Sequence, residues 1–450
     1  MTTTAQPLWR AYVAFLMPMM LSNILQAMFG TVNGIYLGQM IGVDALAAVS
    51  IFFPVMFFLI SFIIGLGAGS SVLIGQAWGA RATGKVKAIA GTTLTLTLIG
   101  GLVIAVGGGL FARDLMTALA TPPNVLDDAT AYARIMMIAM PATFTFLLAT
   151  AMMRGVGDTV TPLWALAISA AIGLLVTPAL IRGWFGLPHL GVASAAVASA
   201  ISAVVTLLWL GLYMRRIDHP LAPDAAFFRA MGLDRELLGR VLHIGLPTAV
   251  QLVVMSLAEI VLLGIVNRFG SDATAAYGAV NQVLGYVQFP AISIAITASI
   301  FTAQAIGAGH LDRIGSIVRT GMWLNLLLTG GLVVLGYLLS RIIIGLFITS
   351  PQVLDLAQTL LFIVLWSTIP FGMAGVFSGV MRASGTVFVP TLLSIVAIMA
   401  VEVPVAVVLS HGIGVEGVWI AYPAAFCTMM VLQMAFYRLV WRKREIRRLI

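Results

Sequence analysis

Long stretches of the chain run without a charged side chain, among them 11–43, 45–80, 88–112, 135–153, 159–181, 183–214, 273–311, 320–340, 356–381 and 417–437. Two further windows, near 242–266 and 387–410, are as apolar but hold one glutamate each. A helix needs about 20 mostly apolar residues to cross a hydrocarbon core of about 30 Å. The pattern therefore predicts twelve transmembrane helices: 11–37, 45–77, 88–112, 130–152, 160–181, 190–213, 242–266, 273–303, 319–346, 355–380, 387–410 and 414–437. The second and eighth are long enough to tilt or to project beyond the bilayer. Membrane β-strands would instead alternate in segments of about ten residues.

Composition agrees. Of the 450 residues, 61% are hydrophobic and 9% charged, against about 25% charged in a soluble domain. The single cysteine, Cys427, excludes an internal disulfide framework. No C-x-x-C or histidine cluster points to a metal, and no cofactor is expected beyond a transported ion. The start, MTTTAQPLWR, has no short leader core with a cleavage site. The net charge of +8 is explained by topology rather than by nucleic acid. With the N-terminus inside, 19 Lys and Arg fall on the cytoplasmic side, six of them in the final WRKREIRRLI region from Arg438 on. Five (Arg113, Arg134, Arg182, Arg268 and Arg341) fall outside. The loop carboxylates split seven and seven, so only the cations are biased, as the inside-positive rule requires. Both termini are expected in the cytoplasm. The basic tail suits anionic lipid.

The chain repeats itself at an offset of 228 residues. IGVDALAAV (41–49) falls on FGSDATAAY (269–277), and IGQAWGA (74–80) on TAQAIGA (302–308). MRGVGDTVTP (153–162) falls on MRASGTVFVP (381–390) without a gap. Nearer the end the offset is 223, so that LGVASA (190–195) meets IGVEGV (413–418). The fold class expected is an all-α polytopic membrane protein with two pseudo-symmetric six-helix lobes, 1–216 and 241–450. A charged cytoplasmic linker, 217–240, joins them. An even number of helices per lobe gives both repeats the same polarity in the membrane. Such parallel repeats are a transporter plan, with a midplane site and alternating access by rocking.

The LSN of residues 21–23, GQMIGVDALAAVS (38–50), IGQAWGA and MRGVGDTVTP, with the echoes VNRFGSDATAAYG (266–278) and MRASGTVFVP, resemble the multidrug and toxic compound extrusion (MATE) family. The resemblance covers nearly the whole chain. It implies a cation-driven antiporter that expels organic, often cationic, compounds or drugs. It also implies a first-helix aspartate, eleven residues before the Asp of the VDALAAVS turn. Here that turn residue is Asp44, and Asn33 stands eleven before it. Asn33 cannot titrate. The family's seventh-helix glutamate corresponds to Glu259, about one turn later than in some relatives.

Only two acids lie within predicted spans, Glu259 and Glu402, both in the second lobe. A carboxylate at the bilayer centre costs about 2.5–3.5 kcal/mol even on translocon scales. Such a group is paired, faces water, or is protonated, and both are candidates for H⁺ or Na⁺ coupling. Glu402 precedes Pro404, so it also has a structural reading. Asn23, Gln26, Gly30 and Asn33, spaced 3, 4 and 3, share a helical face that lines a substrate cavity or packs against another helix. Gln251, Met255 and Glu259 form a second stripe. Asn281, Gly285 and Gln288 form a third, with Gln282 and Tyr286 beside it. Gln251, Asn281 and Gln288 are candidate partners of Glu259. A monomer in the lipid bilayer is expected. A lipid-linked precursor flippase of a related two-lobe family is the alternative, but no Lys or Arg lies mid-span to bind a diphosphate. An intramembrane enzyme would need a catalytic constellation that is absent.

Overall fold

Every long apolar run is helical in the computed structural model, which describes residues 7–348 and 350–450. Lipid offers no hydrogen bonds, so a spanning backbone must satisfy its own N–H and C=O groups. The first half carries α1 (Leu8–Met40), α2 (Val43–Gly79), α3 (Thr83–Ala118), α4 (Leu126–Ile138), α5 (Met140–Gly155), α6 (Val160–Arg182) and α7 (Ala193–Arg216). A short α8 (Ala225–Arg229) follows. The second half carries α9 (Arg235–Val266), α10 (Ser271–Ala308), α11 (Ile314–Leu338), α12 (Ser340–Gly345), α13 (Pro351–Val364), α14 (Thr368–Ala383), α15 (Phe388–Val396), α16 (Val403–Ile413) and α17 (Val415–Leu439). Eleven helical stretches among the described residues are long and apolar enough to cross a bilayer, and the bent pair α4–α5 makes a twelfth. With 37 and 38 residues, α2 and α10 each reach about 55 Å, well beyond the hydrocarbon core.

Four expected spans are interrupted: 319–346 breaks at Leu339, between α11 and α12, and the other three break near a proline. The expected helix 130–152 bends by 52° between α4 and α5. Pro141, near the start of α5, has no N–H to bond back into α4. The expected helix 355–380 breaks at a 3₁₀ turn, Leu365–Ser367, ahead of Pro370. The two breaks fall at equivalent places in the repeat. In the expected helix 387–410, a π-turn, Ala397–Glu402, separates α15 from α16. Pro404 cannot donate to the turn before it, and its ring crowds that turn's carbonyl. One extra residue per turn relieves the clash.

The duplication is also written in the backbone. Positive φ angles pair Gly42 (130°) with Gly270 (97°) and Gly157 (94°) with Gly385 (83°) at the 228 offset, and Gly191 (53°) with Gly414 (76°) at 223. Arg81 (58°) matches Gly309 (82°). The left-handed conformation costs a residue with a Cβ about 1–2 kcal/mol, a strain carried at Arg81 and avoided at Gly309.

Contacts group the chain into two units, Leu21–Leu246 and Met1–Met20 with Pro247–Ile450. The opening turns of α1 thus pack with the second half. Tyr12 meets the Phe301 ring at 5.0 Å and its hydroxyl donates to the Ile317 carbonyl at 3.3 Å. Reciprocally, the opening turns of α9 pack on α2, so closely that a Cβ on Gly245 would stand 2.7 Å from the Gly65 carbonyl oxygen.

The linker is held against the first unit. Asp224 caps α8 by accepting the Phe227 N–H at 2.7 Å, and it pairs with Lys87 of α3. Asp158, in the turn between α5 and α6, accepts the Val160 and Thr161 N–H groups at 3.0 Å each. It also faces His219 Nε2 at 3.5 Å. Because His219 Nδ1 accepts the Leu221 N–H at 3.1 Å, the neutral ring carries its proton on Nε2, toward Asp158. Burial opposes ionisation of Asp158, but the hydrogen bonds from His219 and Thr161 outweigh it and hold the carboxyl below its ordinary 3.8. A lowered carboxyl stabilises the fold above its unfolded value, and that contribution fades as pH falls through the folded value. Asp158→Asn is therefore expected to cost about 1 kcal/mol at neutral pH and to flatten the acid limb of the melting profile. Thermal melts of both proteins between pH 3 and 7 check this.

Candidate functional site

The two intramembrane carboxylates of the second half come together. Glu259 is exposed at the edge of the uncovered face of α9, and Glu402 closes the π-turn with 5% exposure. They are joined by a small apolar cluster in which Ala258 packs with Ala397, Ile398 and Met429, with Met255 against it. Glu259 lies within electrostatic reach of Glu402, and both act on the hydroxyls of Tyr277 and Tyr422. Among the described residues, neither carboxylate has an ion pair or hydrogen bond. An ionised pair without a counter-charge in apolar surroundings is costly. A proton or monovalent cation between them removes the repulsion.

Among the described residues, no hydrogen bond joins Glu259 to Gln251, Asn281 or Gln288, the candidate partners that the stripes suggested. Asn281 interacts instead with Tyr277, one turn before it on the same face of α10. The tyrosines are members of this cluster that the sequence reading missed. Their hydroxyls are 3.0 Å apart, linking α10 to α17. Trp419, fully buried, meets the Tyr277 ring at 5.1 Å and the Tyr422 ring at 5.6 Å, setting the height of both. The signal was available in the repeat. At the offsets given above, Val49 stands where the second half has Tyr277, Ser199 where it has Tyr422, and Thr31 where it has Glu259.

The remaining predicted residues line open helical faces. On α10, Val280, Val283, Leu284 and Val287 are buried. Asn281, Tyr286 and Gln288 are half-buried and Gln282 is exposed on the other side. Helix α1 is uncovered on two opposite faces. Leu21, Ile24, Met28 and Ile35, 36–54% exposed, form an apolar face suited to lipid. Asn23, Gln26, Gly30 and Asn33 form the other, on which Gln26 and Gly30 are exposed and Asn23 and Asn33 half-buried. The polar stripe lies on the side of α1 opposite the apolar face. Within it, the Asn33 side-chain oxygen accepts the Thr177 hydroxyl at 3.4 Å, tying α1 to α6.

The MatE family model matches residues 18–179 and 247–408, two stretches of equal length that reproduce the internal repeat. A Bacillus subtilis (strain 168) protein named "Probable multidrug resistance protein YoeA" is 47% identical over 444 residues, covering 98% of this chain and 96% of the relative. The "FAD transporter" of Shewanella oneidensis is 26% identical over 433 residues, 95% of this chain and 94% of that protein. Among solved structures, the Vibrio cholerae MATE transporter VcmN in its bent form superposes with a TM-score of 0.87 at 20% identity over 97% of each chain. A transporter of the MOP superfamily from Pyrococcus furiosus gives a TM-score of 0.87 at 22% identity, covering 96% of this chain and 95% of that one. Two matched halves, a full-length relative and the twelve-span, two-lobe architecture agree: the chain belongs to the MatE family of multi-pass membrane transporters.

Proposed function

We propose that the protein is a secondary active efflux antiporter that exchanges H⁺ or Na⁺ for organic, often cationic, compounds. The observation that carries this reading is the placement of Glu259 and Glu402. They are the two acids inside the predicted apolar spans, they lie within electrostatic reach of each other, and among the described residues neither has a basic side-chain partner. Glu259, on the open side, is the group that takes up the ion; Glu402, buried behind it, makes holding two negative charges costly. In the outward-open state a proton or sodium ion binds at Glu259 and displaces cationic cargo. Neutralised, the lobes 1–216 and 241–450 rock about the linker 217–240 without exposing a bare charge to apolar surroundings. Facing the cytoplasm, the carboxylate releases its ion and accepts new cargo. One site used in turn by two ligands gives exchange without long-range coupling.

The open polar faces of α1 and α10 supply the neutral part of the cargo site: Asn23, Gln26 and Asn33, with Gln251, Asn281, Gln282, Tyr286 and Gln288. Amides and an aromatic face suit varied organic cations because they hydrogen-bond or stack without adding charge. The relative with 47% identity is named a multidrug resistance protein, whereas the one named for FAD is more distant. This supports a broad substrate range. The distribution of Lys and Arg supports cytoplasmic termini and a place in the bacterial inner membrane.

The test is uptake of a fluorescent cationic dye into everted membrane vesicles under an imposed ΔpH or ΔNa⁺, with a monovalent-cation control. Dye movement driven by one of these two gradients supports antiport and names the ion. Dye movement that needs ATP and ignores both gradients removes the proposal.

A further inference from the structure

A cavity of about 410 Å³ opens between α11, α14 and the end of α17. At one end stand Arg319, from the second turn of α11, and Arg438 and Arg442, from the close of α17 and the 3₁₀ turn after it. Among the described residues none of the three has an acidic partner. Tyr437 is buried beside them, with Arg438 and Arg442 both in electrostatic reach of its hydroxyl. At the other end the wall is apolar. Trp323 and Leu326 stand one and two turns further along α11, 61% and 43% exposed. The step from Arg319 to Leu326 is about 10 Å along the helix axis. The floor is firm, because Tyr437 packs on Phe377 with ring centroids 5.0 Å apart and stacks on Trp441 at 5.2 Å.

Cations at one end and an exposed aromatic and aliphatic wall at the other, on the flank of a membrane unit, match a molecule with an anionic head and an acyl tail. We propose that this cavity is a binding site for one anionic phospholipid of the bilayer leaflet on the Arg319–Arg442 side, its phosphate held by Arg319, Arg438 and Arg442 and an acyl chain lying along Trp323 and Leu326. On the inside-positive orientation this is the cytoplasmic leaflet. Three unpaired guanidiniums suit phosphate because each offers a planar fork of N–H donors. A basic pocket between spans at the cytoplasmic surface is a recurrent setting for such headgroups. A bound lipid would bridge α11 to α17. The proposal does not depend on the antiport reading.

The experiment is native mass spectrometry of the full chain, titrated with phosphatidylglycerol or with phosphatidylcholine of the same acyl chains. The wild type is expected to retain one phosphatidylglycerol on the order of tenfold better than phosphatidylcholine. The double variant Arg438→Ala/Arg442→Ala is expected to lose that preference. Lys443→Ala/Arg444→Ala, which removes the same charge from the adjacent tail, should keep it. Inorganic phosphate at millimolar concentration should not displace the lipid, because it lacks the acyl chain. Equal retention of the two lipids by the wild type would overturn the proposal, and that comparison needs no variant. So would equal loss in both double variants, which would mean diffuse attraction by the tail. Displacement by inorganic phosphate alone would make the cavity an anion site and overturn it as well.

Discussion

Glu259→Gln is expected to lower ion-driven exchange about 100-fold while leaving the protein inserted and folded. Glutamine keeps the size and hydrogen-bonding capacity of the protonated side chain, so the apolar cluster around Ala258 and Met255 is undisturbed. What it removes is the ability to gain and lose charge. A charge at mid-membrane depth costs about 2.5–3.5 kcal/mol, and about 1.4 kcal/mol corresponds to a factor of ten, so losing the switch between charged and neutral forms is expected to cost on the order of a hundredfold. The variant remains permanently in the neutral state that, in the wild type, follows ion binding. It can cross between conformations but has nothing to exchange, and it binds cationic cargo weakly. The dye assay in everted vesicles reads this directly, with membrane content checked by fluorescence of a tagged chain. Glu402→Gln separates the two roles. If Glu259 takes the ion and Glu402 only makes double ionisation costly, the second variant still exchanges but over a shifted pH range. Wild-type exchange by Glu259→Gln would remove this residue from the mechanism. Loss confined to Glu402→Gln would move the ion site to the π-turn.

The spans and the duplication were legible in the sequence because their causes are local. Uncharged length sets a span, and the Gly and Pro residues in the turns keep register between the halves. Glu259 and Glu402 were legible for the same reason, since an acid among apolar residues needs no neighbour to be noticed. The polar faces of α1 and α10 could be read from spacing alone, because residues three and four apart share a side of a helix. Residues defined by what another helix brings to them were not legible. Tyr277 and Tyr422 are 145 residues apart and meet through hydroxyls 3.0 Å from each other; in the sequence each is one more aromatic in an apolar run. The packing of Tyr12 on Phe301 was hidden because an apolar helix carries no mark of which unit covers its first turns. Proline alone did not mark the breaks, since Pro18, Pro54, Pro178, Pro247, Pro290 and Pro423 lie inside continuous helices; whether Pro141 gives a bend and Pro404 a π-turn depends on the packing around them.

Gly372→Val is expected to lower the apparent melting temperature by roughly 10 °C. Gly372 lies on α14 where α10 and α11 converge. A Cβ there would overlap the side-chain oxygen of Asn325 and stand 2.8 Å from the Ala291 Cβ. Asn325 is fully buried and cannot move away without loss. Its amide donates to the Ile369 carbonyl at 2.9 Å, and its oxygen accepts the Thr329 hydroxyl at 3.0 Å. Overpacking a tight core costs about 1–3 kcal/mol, and stranding a buried hydrogen-bonding group costs about 1–3 kcal/mol more. For a unit of this size each kcal/mol moves the melting point by about 2–4 °C. Gly330→Ala, on the neighbouring α11, is the contrast. Its nearest neighbour would be the Ile369 Cδ1 at 3.7 Å, an ordinary contact, so it should melt as the wild type does or slightly higher. Thermal melts of detergent-purified protein, followed by size-exclusion fluorescence, distinguish the two. If Gly372→Val melts within about 2 °C of the wild type, the three-helix seam is looser than its geometry implies. The seam also bears on function, because the buried back of α10 is clamped there while its front carries Asn281, Tyr286 and Gln288. Splaying α14 from α10 should therefore weaken dye exchange at temperatures where the variant is still folded, and Gly330→Ala should leave exchange unchanged.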